Sequence, residues 1–83
     1  MPVNAKKLSE DERNFLRAIG YKVQFIRKKK DLSQAQLAEL SNLANSTISH
    51  LESTSVYSVS LVVLHRIASA LGVEPKELLD DLD

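Results

Sequence analysis

Two short amphipathic segments, separated by three residues, constrain the fold of this chain more than any other feature of its sequence. The first segment, 34–41, follows Ser33, a residue type that caps helix N-termini. Asn42 can then supply the left-handed conformation that ends many helices. In the second segment, 45–51, Ile48 and Leu51 turn to the same side. The inward residues expected in the first segment are Leu37, Ala38 and Leu40. The pattern predicts two short helices packed across a tight turn.

A longer helix is predicted before this pair, over about 10–30. Ser9 and Glu12 have the spacing of a capping box, which marks a helix start. Gly20 is a local weakness in the helix, and Asp31 marks its exit. Apolar residues recur at three- and four-residue steps and form one inward stripe, namely Leu16, Ile19, Val23 and Ile26.

Two more helices are predicted in the second half. The fourth helix, about 60–71, stops at Gly72, and the fifth, 75–82, begins with Pro75, which suits a first helical turn. The conformation of the serine-rich connection 53–60 stays open, because it holds no Gly or Pro. The expected inward residues are Leu61, Leu64, Ala68 and Leu71 in the fourth helix, and Leu78, Leu79 and Leu82 in the fifth.

The length of 83 residues allows one compact core but no second domain. We therefore expect a single all-α, five-helix domain over 9–83, preceded by a flexible tail over 1–8. No apolar run approaches the roughly 18 residues of a membrane span, so we expect a cytoplasmic protein. The absence of cysteine excludes a disulfide framework, a cysteine zinc site and a thiolate nucleophile.

Charge separates along the chain, although the net charge is zero. Residues 1–40 hold nine Lys and Arg against five Asp and Glu, whereas residues 41–83 hold two against six. The densest basic run, 27–30, directly precedes the pair of short helices. The first half therefore suits contact with phosphates, and the acidic C-terminal end should point away from them.

The pair of short helices has the layout of a helix-turn-helix, over about 34–53. Such a layout can hold its second helix in the DNA major groove, which is about 12 Å wide. Any tight helical hairpin buries similar apolar residues, so those residues alone do not indicate DNA binding. The polar side chains on the outer side of the second helix favour it. The candidates for base contact are Asn45, Ser46, Thr47 and His50.

A series of motifs links the chain to a known family: Arg27, Leu32-Ser33-Gln34, Leu37-Ala38, Leu43, Thr47-Ile48-Ser49, Glu52, the run 67–73 and Glu77-Leu78-Leu79. Over about 23–79 the chain resembles the phage repressor and Cro-like regulators, also called the xenobiotic-response-element family. The resemblance implies a compact five-helix DNA-binding domain whose third helix reads bases, and dimers on palindromic operators. Controller proteins of restriction-modification systems are of similar size.

The resemblance also implies roles outside the third helix. Gln34 matches a glutamine that contacts phosphate and braces the third helix. Arg27 and Lys28 belong to the basic run and are candidates for phosphate contact, although the family pattern offers a pairing of Arg27 with Glu52 instead. The other phosphate candidates are Ser49 and Tyr57, and for Tyr57 packing against the fourth helix is an equal alternative.

Three departures from the family pattern bear on the motif. Asn42 stands where relatives usually have glycine, a change that the left-handed region tolerates. Ala44 replaces a capping Ser or Thr, which costs about 0.5–2 kcal/mol unless Asn45 or Ser46 takes over the cap. The segment 53–58 lacks the glycine and basic residues of relatives, so their phosphate contacts are not transferred to it.

Surplus apolar residues in the last two helices predict a homodimer through about 60–82. The alternative is a monomer that buries these residues internally. The candidate interface residues are Val62, Val63, Ile67, Leu78, Leu79 and Leu82.

The predicted function is sequence-specific binding of double-stranded DNA for transcription regulation, as a repressor or restriction-modification controller. The alternative is an antitoxin-like module that binds a partner protein and also DNA. Catalysis is disfavoured because the two histidines, His50 and His65, lie on different predicted helices without a metal, P-loop or nucleophile motif. No cofactor or metal is expected.

Overall fold

The computed structural model describes residues 8–53 and 59–80, and their secondary structure is helical throughout. The elements are α1 Glu10–Lys29, α2 Gln34–Ser41, α3 Asn45–Glu52, α4 Leu61–Leu71 and a 3-10 turn, Pro75–Leu78. The all-α class is confirmed. Neither the predicted flexible tail, apart from Leu8, nor most of the 53–60 connection lies in the described residues. None of the described helices combines the length and apolarity needed to cross a bilayer.

The expected fifth helix is wrong in type. The segment after Pro75 is a single 3-10 turn, in which Leu79 N donates to Lys76 O at 3.0 Å and Glu77 N donates to Glu74 O at 2.9 Å. Each hydrogen bond joins residues three positions apart, as in a 3-10 helix, whereas an α-helix joins residues four positions apart. The first turn of an α-helix is costly to form, so a short segment rarely forms one alone. The structure thus has four α-helices and a turn over its described residues, and Leu82 lies outside them.

Local capping signals explain where the helices begin and end. Ser9 and Ser33 each accept a hydrogen bond from the backbone three residues later, and Glu12 and Gln36 return the bond to complete capping boxes. Ser60 caps α4 in the same way, without the returning side chain. The left-handed conformations predicted after α2 and α4 are confirmed, at Asn42 with φ 56° and at Gly72 with φ 73°.

The core is aliphatic and is shared by every element. The largest of its fully buried side chains are Val23, Leu37, Ile48, Ile67, Leu71 and Leu78. Three expected inward residues are exposed instead, Leu40 at 59%, Leu61 at 82% and Leu79 at 46%. Ser41 takes the inward position in α2 because it lies one turn after Leu37, with its hydroxyl donating to the Leu37 carbonyl at 2.6 Å. Leu61 opens the first turn of α4, and the first buried residue of that helix is Leu64, one turn later.

Gly20 marks a close crossing between α1 and α3. A Cβ at this position would lie 2.2 Å from the carbonyl oxygen of Leu51, far inside ordinary van der Waals contact. The residue read from the sequence as a weakness of α1 is therefore what lets α1 approach the end of α3. This contact helps to fix how α3 sits on the body of the protein.

Candidate nucleic-acid interface

Helices α2 and α3 are joined by a turn of three residues, 42–44. Asn42 adopts the left-handed conformation, and Leu43 N then donates to Ala38 O at 2.9 Å, which closes the end of α2. Ala38 is 4% exposed and lies in the core with Leu37 and Ile48. A larger side chain in place of Ala38 would compete for this packed space. Turn geometry and close packing together set the angle between the two helices.

The outer side of α3 is polar and exposed. Ile48, Leu51 and Glu52 face inward, whereas Asn45, Ser46, Ser49 and His50 are exposed and Thr47 is half-buried. Ser46 and His50 lie one turn apart and diametrically opposite the buried side. Four of the five polar side chains in α3 before Glu52 can thus reach a ligand laid along the helix. The helix N-terminus at Ala44 has no side-chain cap, so the predicted loss of that cap is confirmed and neither Asn45 nor Ser46 replaces it.

A buried polar network ties α3 to the N-terminal part of the motif. The Arg27 guanidinium donates from Nε and Nη2 to the two carboxylate oxygens of Glu52, at 2.7 and 2.8 Å. Its third nitrogen donates to the carbonyl of Leu32 at 2.6 Å, and Gln34 Nε2 donates to the same carboxylate at 3.2 Å. The side chains of Arg27 and Glu52 are 8% and 1% exposed. The network joins the end of α1, the α1–α2 connection, the start of α2 and the end of α3.

The helix-turn-helix family matches this chain over residues 23–78, which include the turn, both of its helices and the buried pair. The chain belongs to the helix-turn-helix family. The predicted resemblance to Cro-like regulators is confirmed, because the proteins it is similar to are regulators of this kind.

The helix-turn-helix chain is 35% identical over 63 residues to the immunity repressor protein of Bacillus phage phi105, an alignment that covers 76% of the chain and 43% of the repressor. It therefore spans less than half the length of that relative. Among solved structures it is similar to the restriction-modification controller protein C.AhdI from Aeromonas hydrophila, with a TM-score of 0.72 and 40% identity over 76% of this chain and 94% of the controller.

Two further structures share the fold. The biofilm regulator SinR, solved in complex with DNA, has a TM-score of 0.71 and 32% identity over 75% of the helix-turn-helix chain and 98% of SinR. A hypothetical transcription factor from Neisseria, NHTF, has a TM-score of 0.78 and 25% identity over 98% and 90% of the two chains. These relatives are a repressor, a controller protein and regulators, which is the class of protein that the sequence predicted.

Arg27 is not available for the phosphate contact that its position in the basic run predicted. It is 6% exposed, and its guanidinium is engaged by Glu52 and Leu32. The alternative pairing with Glu52 is the arrangement found. The next residue, Lys28, is exposed, as is Ser49, while Gln34 is half-buried beside the network. Tyr57 lies outside the described residues.

Some of the candidate dimer residues are buried in the protomer and others are exposed. Ile67 and Leu78, at 0% and 1% exposed, fill the core of the protomer itself, so they cannot meet a partner without unfolding. Val63 is half-buried and packs against the same core. The exposed candidates are Val62 at 62% and Leu79 at 46%. Leu61, which was expected inside, adds a third exposed aliphatic side chain next to Val62.

Two features of the motif were missed by the sequence reasoning. The guanidinium of Arg66 donates to the carbonyl of Asn42 at 3.4 Å, which links the turn between α2 and α3 to α4. No local sequence pattern indicates this contact, because the two residues are 24 positions apart. The Ser33–Gln36 capping box had a readable signal, a serine followed three residues later by glutamine.

Proposed function

We propose that this helix-turn-helix chain binds a specific duplex DNA sequence and regulates transcription, acting as a homodimer on a palindromic operator. The observation that carries the proposal is the exposed polar side of α3, held to the body by the buried Arg27–Glu52 pair. A helix that must read base edges has to present short polar side chains from a fixed support, because a small displacement loses the hydrogen bonds. The relatives are regulators, and one of them was solved in complex with DNA.

Base reading is assigned to the N-terminal and outermost part of α3. Asn45 can pair bidentately with adenine, His50 can donate to a guanine acceptor, and Ser46 lies one turn before His50 on the outermost side. Thr47 is half-buried, which leaves it a smaller share of the contact. In recognition helices of this motif the N-terminal residues contact base edges, in agreement with these positions.

Phosphate contact is assigned to exposed donors around α3. Lys28 and Ser49 are exposed. Gln34, at the start of α2, donates its side-chain amide to Glu52 and so braces α3. In this proposal the half-buried amide of Gln34 also contacts the DNA backbone. With Arg27 neutralised by Glu52, the basic character near the motif comes from the lysines of 28–30. We expect salt to weaken binding only moderately, because few phosphates are neutralised.

A dimer supplies the affinity that a chain of zero net charge lacks. Two-fold symmetry places two copies of α3 about one helical turn of DNA apart and doubles the phosphate contacts. Val62 and Leu79 are the predicted interface residues that remain exposed, and Leu61 joins them. The predicted cytoplasmic location belongs to the same proposal, since a regulator must reach its DNA.

The test is selection of bound sequences from a random duplex pool, followed by titration of the selected duplex. We expect a palindrome to be enriched, and His50→Ala to weaken its binding by about tenfold or more, which is a typical value for one base contact. Asn14→Ala is the control, because Asn14 is an exposed polar residue of α1 that belongs neither to the candidate DNA contacts nor to the candidate dimer residues, and it should leave the affinity unchanged. Failure to enrich any sequence would overturn the operator proposal and favour the alternative, a module that binds a partner protein.

A further inference from the structure

The aromatic side chains that the structure describes lie outside the core. Phe15, Tyr21 and Phe25, which are all the aromatic residues in the described part of the chain, are exposed at 54%, 45% and 57%. All three belong to α1. Aromatic rings carry the largest apolar surface of any side chain and are enriched where proteins meet partners, so their collection on one exposed helix needs an explanation.

Six positions of α1 form a single exposed strip, which we call the outer face. At 3.6 residues per turn they fall within an arc of about 80°. Five of the six are exposed and one, Lys22, is half-buried. The positions are Asp11, Phe15, Ala18, Lys22, Phe25 and Lys29.

The outer face points away from the proposed DNA-binding side. Gly20 lies on the opposite side of α1, where it touches the carbonyl of Leu51 in α3. A partner on the outer face would therefore leave the polar side of α3 free to contact DNA. The surface is distinct from the candidate dimer residues on α4.

The order of residues along the outer face is self-complementary at its charged ends and at its aromatic positions. Each position has a counterpart at the same distance on the other side of residue 20: Asp11 with Lys29, Phe15 with Phe25, and Ala18 with Lys22. Two copies of α1 packed antiparallel about a two-fold axis at this point would bring each position against its counterpart in the partner. Both ends would then join an acid to a base, and each Phe15 would meet the Phe25 of the other copy.

A groove beside the outer face can receive one of these rings. It has a volume of about 670 Å³ and lies between α1 and the segment after α4, and its lining includes Phe25, Ile26, Val73 and Lys29. Lys29 already lies 5.9 Å from the centre of the Phe25 ring. The lining also holds charged residues, namely Lys22, Lys30, Glu77 and Asp80. The antiparallel arrangement places the partner's aromatic ring near the apolar residues of this lining and the partner's Asp11 near the Lys29 ammonium group.

We propose that the outer face of α1 is a homotypic interface, which joins a second copy of this chain by antiparallel α1 packing. The strip is about 27 Å long, and at a width of about 10 Å it buries about 300 Å² per copy. This is well below the roughly 800 Å² per partner of a stable complex, so the contact is weak in solution. Its effect appears when copies are already close, as on neighbouring DNA sites, where it makes their binding cooperative. This last consequence rests on the proposed function, whereas the contact itself does not.

The test exchanges the charges at the two ends of the strip. In Asp11→Lys alone and in Lys29→Asp alone, both ends of a symmetric pair carry like charges. We expect the association step that follows the proposed dimer of Leu61, Val62 and Leu79 to weaken roughly tenfold by sedimentation equilibrium. When the two variants are mixed in equal amounts, each mixed pair regains opposite charges at both ends. We therefore expect the mixture to associate at least as strongly as the unchanged protein, in low salt, while each variant alone does not.

A structural effect of the substitutions would not produce this rescue, because mixing two damaged folds repairs neither of them. Phe25→Ala is a second variant, and we expect it to reduce association without a change in the circular-dichroism spectrum. Equal association by all samples, or weakened variants without recovery on mixing, would overturn the interface. Binding of each variant to a single duplex site is measured in parallel, so that loss of the interface and failure of the DNA-binding proposal give different results.

Discussion

Replacement of Gly20 by alanine has two opposing effects on the free energy of unfolding. Helix propensity predicts that it rises, whereas tertiary packing predicts that it falls. In an exposed helix, Gly→Ala stabilises by about 0.5–1 kcal/mol, because alanine loses less backbone entropy. Here the new Cβ would lie 2.2 Å from the carbonyl oxygen of Leu51, against an ordinary contact of 3.4 Å or more. The neighbour is backbone, so no rotamer change relieves the overlap, and α1 must move away from α3.

The magnitude follows from the difference between the two effects. Overpacking of this kind costs typically 1–3 kcal/mol, and an obstruction made of backbone belongs at the upper end. After subtraction of the helix propensity, the free energy of unfolding should fall by about 2 kcal/mol. For a domain of this size each kcal/mol shifts Tm by about 4–8 °C, so we expect a decrease of about 8–16 °C.

Thermal unfolding followed by circular dichroism measures this change. Ala18→Gly is the control in the same helix, because residue 18 is exposed and responds to propensity alone. It should lower the free energy of unfolding by about 0.5–1 kcal/mol. If Gly20→Ala raised Tm or left it unchanged, the close crossing of α1 and α3 would not exist as described.

Two other stability predictions follow from the motif. Glu52→Ala leaves the buried Arg27 guanidinium without its charge partner, and urea unfolding should show a loss of about 3–5 kcal/mol, whereas Glu39→Ala, at an exposed position of α2, should change little. Equal effects of the two changes would contradict the assigned role of the pair. Ala44→Ser supplies the side-chain cap that α3 lacks, so thermal unfolding should show a gain of about 0.5–2 kcal/mol, and a loss would mean that the extended backbone at Ala44 does not act as an N-cap.

The local features of this protein could be predicted from its sequence. Capping at Ser9, Ser33 and Ser60, and the left-handed turns at Asn42 and Gly72, depend on residues within four positions of one another, so the helix boundaries follow from short patterns. The polar outer side of α3 could also be predicted, because the helical period and two buried residues, Ile48 and Leu51, fix which side faces outward.

Only the tertiary structure decided which side chains are buried and which remain exposed. Periodicity identifies an apolar side of a helix, but it does not say whether the core or solvent covers it, and for this reason Leu40 lies outside and Ile67 inside against expectation. The same limit applies to Gly20, which reads as a local weakness until α3 is placed 31 residues away. Arg27 reads as one of a basic run, and only the approach of Glu52 from α3 buries it. Short-range patterns determine which elements form, while long-range packing determines which side chains remain available for function.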